Sequence, residues 1–185
     1  MSRNLWLLSV AAVLLVSTAS VHADPHDYFD IPDPGTQNYL RSMEGAHVAT
    51  IPGWIKKNRA EDAVGDLEYT MRSFPNHPQA LQYVSLISQL IKKPGWGIKL
   101  FEAAVSQYPQ YAVTHAQYGL YLVSIGNVDG GISKLQRSVE MDPKLKAGYA
   151  GLAQAYSKKG DVEQAREAAK KARELGFTGK LPDGL

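Results

Sequence analysis

The chain has 185 residues, of which 44% are hydrophobic and 21% charged, and its formal net charge is +2. This composition suits one modest globular domain and argues against a nucleic-acid partner, whose phosphates would require a basic stripe. The sequence contains no cysteine, which excludes disulfides, thiolate metal sites and haem attachment through Cys-x-x-Cys. Packing therefore has to stabilise the fold.

Residues 1–23 carry the features of a secretory signal peptide. Arg3 supplies a positive charge, an apolar run follows over residues 5–16, and Val21 and Ala23 are the small residues that a signal peptidase requires. An uncleaved membrane anchor is the alternative, but the run is shorter than the roughly 20 residues of a spanning helix. We predict cleavage after Ala23 and a periplasmic or secreted protein without a stable membrane span.

The next segment, residues 24–35, reads DPHDYFDIPDPG and is acidic, proline-rich and aperiodic. Such a composition predicts an extended arm. His26 stands among Asp24, Asp27 and Asp30, which is a weak metal-binding pattern. A single imidazole without ordered ligand spacing does not make a metal site, so we predict no metal here.

Residues 36–77 are predicted to form N-terminal helices and a degenerate half repeat. The pattern favours one helix over about residues 37–48 and a regular second helix over about residues 60–73. Pro52 and Gly53 fall where the first helix of a hairpin should continue. We expect them to break that helix, because proline lacks an amide donor and clashes with the preceding turn.

The segment SFPNHPQAL, residues 73–81, introduces a periodicity. Three prolines recur at intervals of 34 residues: Pro75, Pro109 and Pro143. Stacking the chain at this period aligns small residues in three columns and large residues in a fourth. The small columns are Ala63, Gly97, Gly131 and Ala165, then Thr70, Ala104, Ser138 and Ala172, then Ser85, Gly119 and Ala153, and the large column is Leu67, Phe101 and Leu135, with Ala169 as its shortfall. Small residues let two helices approach closely, and a large one fills the gap beside them.

Each unit is predicted to be a pair of helices. In the last unit a first helix over residues 146–158 ends at Gly160, and Asp161 is expected to cap the second. Asn58 gives the same cap signature upstream. Pro94 is acceptable only at the first position of a second helix. In the segment SFPNHPQAL, Pro75 is predicted to close one hairpin and Pro78 to open the next helix. Asn76 and His77 between them are predicted to be ordinary turn residues.

One stretch, YAGLAQAYSKKGDVEQAREAAKKA, contains a Gly-Asp turn, and the preceding units each end in a proline. This pattern resembles the tetratricopeptide repeat (TPR). The chain is also similar to small exported bacterial TPR-containing proteins. The resemblance implies an all-α, right-handed superhelical array of about three and a half helical hairpins behind the signal peptide and the arm. Its units are predicted over residues 78–111, 112–145 and 146–179, followed by a tail over residues 180–185.

Signatures of catalysis are missing from the sequence, which has no GxSxG, HExxH or GxxxxGK[ST] motif. We therefore predict a protein that is not an enzyme and binds no cofactor. The alternative is a small-ligand protein or metal-dependent enzyme that uses His26, His47 or His77. His47 and His115 occupy equivalent positions two units apart, which favours a structural role in packing over a shared site.

The resemblance implies that the first helices of the hairpins line a concave groove. Its predicted groove residues are Gln79, Gln82, Leu86, Gln89, Leu90, Val113, Ala116, Leu120, Val123 and Gln154. This set is apolar and rich in amides, which predicts a partner that is another protein or a peptide segment. We therefore predict that the protein is a scaffold or assembly factor for another envelope protein.

Two further expectations concern what covers the exposed surfaces. The chain itself can cover the groove, either with the arm over residues 24–35 or with the C-terminal tail TGKLPDGL. Trp96 lies in a predicted turn where a smaller residue would serve, so we expect it to be an exposed contact.

Overall fold

The computed structural model of the protein describes residues 24–184, so the predicted signal peptide lies outside the described residues. Within residues 24–184 the regular structure is helical throughout, which confirms the predicted fold class. None of the helices in this part of the chain is long and apolar enough to cross a membrane.

The helices follow one another in antiparallel pairs. The N-terminal ones are α1 (Pro34–Met43), which continues into a π-helical turn over Glu44–Val48, α2 (Ile51–Lys56), and α3 (Ala63–Ser73), which a 3-10 turn over Ala60–Asp62 precedes. Three hairpins come next: α4 (Pro78–Leu90) with α5 (Pro94–Gln107), α6 (Ala112–Ser124) with α7 (Val128–Met141), and α8 (Lys146–Lys159) with α9 (Val162–Glu174). The first helices α4, α6 and α8 contact each other in sequence. The second helices α5 and α7 each contact the first helix before and the first helix after them, and α9 packs against α8.

Two members of the small-residue columns, Gly119 and Gly131, lie where α6 and α7 approach closely. A Cβ atom added to Gly119 would lie 2.8 Å from the carbonyl oxygen of Gly131 and 2.6 Å from Leu135 Cγ. A Cβ atom added to Gly131 would in turn lie 2.8 Å from the carbonyl oxygen of Gly119. Helices α6 and α7 therefore touch backbone to backbone at two glycines.

Helix ends agree with the proline and glycine signals but differ at two predicted caps. α4 begins at Pro78, α5 begins at Pro94, and Gly160 ends α8 with a φ angle of +90°. Asp161 makes no side-chain cap hydrogen bond, and its carboxylate lies 4.0 Å from the ammonium group of Lys159. Asn58 adopts a φ angle of +56° just after α2, so it terminates that helix rather than starting α3.

The N-terminal unit differs from the prediction in detail. Pro52 lies at the second position of α2, where its missing amide hydrogen costs no helical hydrogen bond, so it helps to begin a short helix rather than breaking a long one. The helix predicted over about residues 37–48 is present as α1 and the π-helical turn Glu44–Val48. This turn places Glu44 and His47 so that each contacts a different neighbouring segment.

Candidate protein-binding surfaces

The groove face is the row formed by α4, α6 and α8, the first helices of the three hairpins. On α4, Leu86 and Leu90 are 42% and 49% exposed. The two leucines lie four residues apart and therefore on one face of the helix. Exposed glutamines flank them: Gln79, Gln82 and Gln89.

The predicted groove residues of α6 are less accessible than those of α4. Ala116 and Val123 are buried, because both pack into the core between α6 and its neighbours. Val113 and Leu120 are half-buried, and a Cβ atom added to Gly151 of α8 would lie 3.1 Å from Leu120 Cδ2. Ala116 and Val123 therefore support the wall of the groove face, and a partner cannot reach them in this conformation.

Along α8 the groove face stays largely uncharged. Gln154 is half-buried on this helix. At the end of the row, the ammonium group of Lys158 donates to the backbone carbonyl of Val123 over 3.1 Å. This bond places a positive charge at the C-terminus of α6, where it interacts favourably with the helix dipole.

Trp96 does not lie in a turn, as predicted, but in the first turn of α5, because the helix begins at Pro94. Its side chain is half-buried, and Nε1 donates to Glu68 Oε1 over 2.9 Å. It lines an open cleft of about 520 Å³ between α3 and α5, together with Met71 and Leu100. Trp96 is therefore separate from the groove face, which the first helices form.

His47 belongs to a hydrogen-bonded cluster beside α3. Its Nδ1 atom lies 2.8 Å from Asp66 Oδ1, and the other carboxylate oxygen of Asp66 accepts from the hydroxyl of Thr50 and the indole of Trp54. The imidazole also packs on the ring of Tyr69, with centroids 4.6 Å apart. These contacts connect the π-helical turn and α2 to α3, in line with a structural role.

His77 is fully buried, although the sequence reads it as turn material. Its Nδ1 atom accepts from the Ala80 amide over 3.2 Å and so caps α4. Nε2 must then carry the proton, and it donates to Glu44 Oε1 over 3.1 Å. Burial lowers the pKa of the His77 imidazole below its usual value, and the Glu44 carboxylate opposes that shift.

The remaining histidines have separate surroundings. The ring of His26 lies 5.3 Å from that of Phe74. In α6, His115 Nε2 donates to the carbonyl of Pro109 over 3.0 Å, and burial lowers its pKa. Within residues 24–184, no three His, Asp or Glu side chains are grouped as metal ligands. The structure thus places His26, His47 and His77 in three different contacts and does not combine them in one site.

The largest departure from the sequence analysis is that the arm is docked. It lies against the loop edge, which we define as residues 73–77 and 108–111, the two loops that connect successive hairpins. The His26 amide donates to the carbonyl of Ser73 over 2.8 Å, and the Tyr28 amide donates to Asn76 Oδ1 over 2.9 Å. The hydroxyl of Tyr108 donates to the carbonyl of Pro25. The backbone of the arm is thereby held at Pro25, His26 and Tyr28. Contrary to the prediction, it is not extended throughout, because residues 27–30 form a turn in which the Asp30 amide donates to the carbonyl of Asp27 over 3.3 Å.

Asp27 of the arm is the centre of this contact. Its Oδ1 atom accepts from Asn76 Nδ2 over 2.7 Å and from the Phe29 amide over 3.0 Å. Its Oδ2 atom accepts from the Tyr111 hydroxyl over 2.7 Å and from Gln110 Nε2 over 3.3 Å. The hydrogen bond to Asp27 raises the pKa of Tyr111.

The C-terminal tail also packs away from the groove face. One guanidinium nitrogen of Arg173 donates to the backbone carbonyls of Phe177 and Gly179, which turns the chain back along α9. Leu181 then packs beside Ala169 over the outer side of α9. The arm and the tail, the two segments expected to be able to cover the groove, therefore lie on other surfaces.

Comparisons with known proteins identify the fold. No family model matches the chain, and no curated protein matches it. Among solved structures, MamA from Desulfovibrio magneticus RS-1, from residue 41 to its end, aligns with a TM-score of 0.56 and 22% identity over 76% of this chain and 77% of that chain. Pseudomonas aeruginosa pilF aligns with a TM-score of 0.58 and 16% identity over 74% and 63% of the two chains. YrrB, described as a TPR protein with an unusual peptide-binding site, aligns with a TM-score of 0.54 and 17% identity over 77% and 80%. The chain therefore has the fold of TPR proteins, which confirms the resemblance seen in its repeats.

Proposed function

We propose that this protein is an exported, non-enzymatic interaction module, a scaffold or assembly factor that binds a segment of another envelope protein on its groove face. The observation that carries the proposal is the exposed pair Leu86 and Leu90 on α4. The TPR fold supports it, because the similar protein YrrB is described by its peptide-binding site.

The chemistry of the groove face favours an apolar partner segment. Burying one well-covered leucine contributes about 1.5 to 3 kcal/mol, so Leu86 and Leu90 together supply a useful share of a moderate affinity. The flanking side chains Gln79, Gln82 and Gln89 are exposed and can donate to and accept from a peptide backbone. The predicted groove residues carry no charge, so the partner segment needs none at these contacts.

Export is the second part of the proposal and rests on the signal-peptide features of residues 1–23. Cleavage after Ala23 would leave a chain that begins with the arm. N-terminal sequencing of the protein isolated from the envelope fraction tests this step. A chain that retains Met1 or Ser2 would contradict it.

Site-specific photo-crosslinking tests the groove face. A photoreactive amino acid is placed singly at Leu86 or Leu90 in cells that export the protein, and at Val162 as the matched control. Val162 is an apolar residue at the first position of α9, a second helix, and it is 51% exposed. We expect a discrete adduct to one envelope protein from Leu86 and Leu90 and none from Val162. Equal adducts at all three positions, or none at any, would contradict the proposal.

A further inference from the structure

The arm contacts the loop edge through both its backbone and its side chains, which is the way a bound peptide is held. Each residue from Pro25 to Phe29 has its own partner on the loop edge or within the arm. Asn76 is fully buried, and both polar atoms of its side chain bond to the arm. Its Oδ1 atom accepts from the Tyr28 amide, and its Nδ2 atom donates to the Asp27 carboxylate. Without the arm, both amide atoms would lose their partners within the protein and would have to bond to water instead.

We propose that the loop edge is a peptide-binding site for a segment in which an aspartate begins a hydrogen-bonded turn and is followed by two aromatic residues. In this structure the protein's own arm fills it. The site is separate from the groove face and stands independently of the proposed function, because it uses the loops between hairpins rather than the exposed faces of the first helices.

Recognition of the peptide backbone is the first element of the site. The carbonyl of Ser73 and the side chains of Asn76 and Tyr108 bind two amides and one carbonyl of the arm, and these groups occur in any peptide. Such main-chain bonds supply affinity and fix the direction of the segment. They do not select a sequence.

The aspartate is the residue by which the loop edge distinguishes one peptide sequence from another. Four donors meet the carboxylate of Asp27, and the three that belong to the loop edge are the neutral groups of Asn76, Gln110 and Tyr111. A side chain without acceptor oxygens at this position would leave these donors without partners. The loop edge therefore favours a carboxylate, whose two oxygens can accept from all three donors at once.

The two aromatic residues fill the positions that follow. The ring of Tyr28 lies on the imidazole of His77 with centroids 4.6 Å apart, and that of Phe29 lies on Tyr111 with centroids 4.5 Å apart. Aromatic pairs at these distances add to the burial of the rings. Phe29 remains 42% exposed, so a partner with further residues has room to extend past it.

A segment supplied in trans has to displace the arm from the loop edge. Its tether is short, because the Asp33 side chain already caps α1 by accepting from the Thr36 amide. A short tether gives the resident segment an effective concentration of about millimolar, so a free peptide competes poorly until the arm is weakened. Binding of an added peptide should therefore become measurable when the arm is weakened by substitution and the loop edge is left unchanged.

The test uses the purified full chain and a fluorescein-labelled synthetic peptide of residues 24–33 as the probe. The receptor is the chain with Asp27→Ala and Tyr28→Ala, and the wild-type chain is the comparison. We expect fluorescence anisotropy to show at least about tenfold tighter binding to the weakened-arm chain. A peptide carrying Asp27→Asn should bind about tenfold or more weakly than the parent peptide. Adding Asn76→Ala to the weakened-arm chain should abolish binding.

A weakened-arm chain that keeps its helical circular dichroism yet fails to bind the peptide would overturn the proposal. Equal binding of the parent and Asp27→Asn peptides would overturn the proposed specificity. If the variant does not fold, hydrogen exchange of the wild-type chain decides the question. Opening of the His26 and Tyr28 amides at a much lower free energy than those of α6 supports an exchangeable arm, and opening only with global unfolding rules it out.

Discussion

In α6 to α9 the helices meet through glycine and alanine, whereas in residues 24–77 the arm, the π-helical turn and α3 meet through hydrogen-bonded side chains. Gly119 and Gly131 bring two backbones together in the first region. Asn76 and His77 are buried polar groups that connect separate segments in the second. The C-terminal region thus depends on the absence of side chains, and the N-terminal region depends on the presence of particular ones.

The difference shows where each region is vulnerable. A close contact between backbones fails when any volume is added, because the helices must then move apart. A buried hydrogen-bonded network fails when one partner is removed or changes its protonation state, because the other partner stays buried without a bond. The two regions should therefore respond to different perturbations.

The substitution Gly119→Ala should have the largest effect. Its Cβ atom would lie 2.6 Å from Leu135 Cγ and 2.8 Å from the carbonyl oxygen of Gly131, and the backbone atom cannot rotate away. We expect the free energy of unfolding to fall by about 3 kcal/mol, measured by urea denaturation.

Gly65→Ala is the matched control in the N-terminal region. Gly65 lies inside α3, and a Cβ atom added there meets nothing within 4 Å. Alanine should raise stability by about 0.5 to 1 kcal/mol, because glycine is the poorer helix former. Equal losses at the two glycines would mean that packing between α6 and α7 is not what Gly119 provides.

The sequence predicts the packing of the C-terminal region better than the contacts of the N-terminal region. The interval of 34 residues locates the close contacts of Gly119 and Gly131, and the prolines at positions 78 and 94 locate the starts of α4 and α5, because these features depend on residues near in sequence. The exposed positions Leu86 and Leu90 were predicted on the groove, but the burial of Ala116 and Val123 depends on how neighbouring helices pack in three dimensions.

The docked arm could not be predicted from local pattern. Asp27 meets Asn76 and Tyr111, which lie 49 and 84 residues further along the chain. A segment that is acidic and proline-rich has the composition of a disordered one, because it contains too little apolar surface for a core. The available signal was the pair Tyr28 and Phe29 beside an aspartate, which is aromatic content that a solvated linker does not need.

Acidification should produce the next largest effect and act first on the N-terminal region. The pKa of His77 is lowered by burial, so the folded state favours the neutral imidazole. This contribution to stability is complete above the unfolded pKa of about 6.5 and is lost as the pH falls below it towards the folded pKa. Each such histidine gives a slope of at most about 1.4 kcal/mol per pH unit.

His115 shifts in the same direction, so its contribution has to be separated from that of His77. Protonation of His77 removes the cap of α4 beneath Tyr28, with Glu44 as the carboxylate that faces the ring. Between about pH 7.5 and about pH 5.5, amide exchange of the arm, corrected for intrinsic rates, should therefore accelerate. His77→Asn, which keeps a capping side chain, should remove that acceleration, and His115→Gln should leave it in place. Acceleration that persists in His77→Asn would assign it to another group.

Salt should have the smallest effect, and this prediction concerns how Asp27 is held. The groups that the loop edge presents to its carboxylate are an amide, a second amide and a hydroxyl, none of which carries a charge. Added ions screen interactions between charges at the surface, such as the pair of Lys159 and Asp129 in the C-terminal region, whose nitrogen and oxygen lie 2.9 Å apart. Hydrogen bonds between a carboxylate and neutral donors at contact distance are much less sensitive to them. Protection of the His26 and Tyr28 amides should therefore change by less than about twofold between about 50 mM and about 500 mM sodium chloride. A large loss of protection in high salt would mean that the arm is held by opposite charges, and the neutral donors would then not account for its binding.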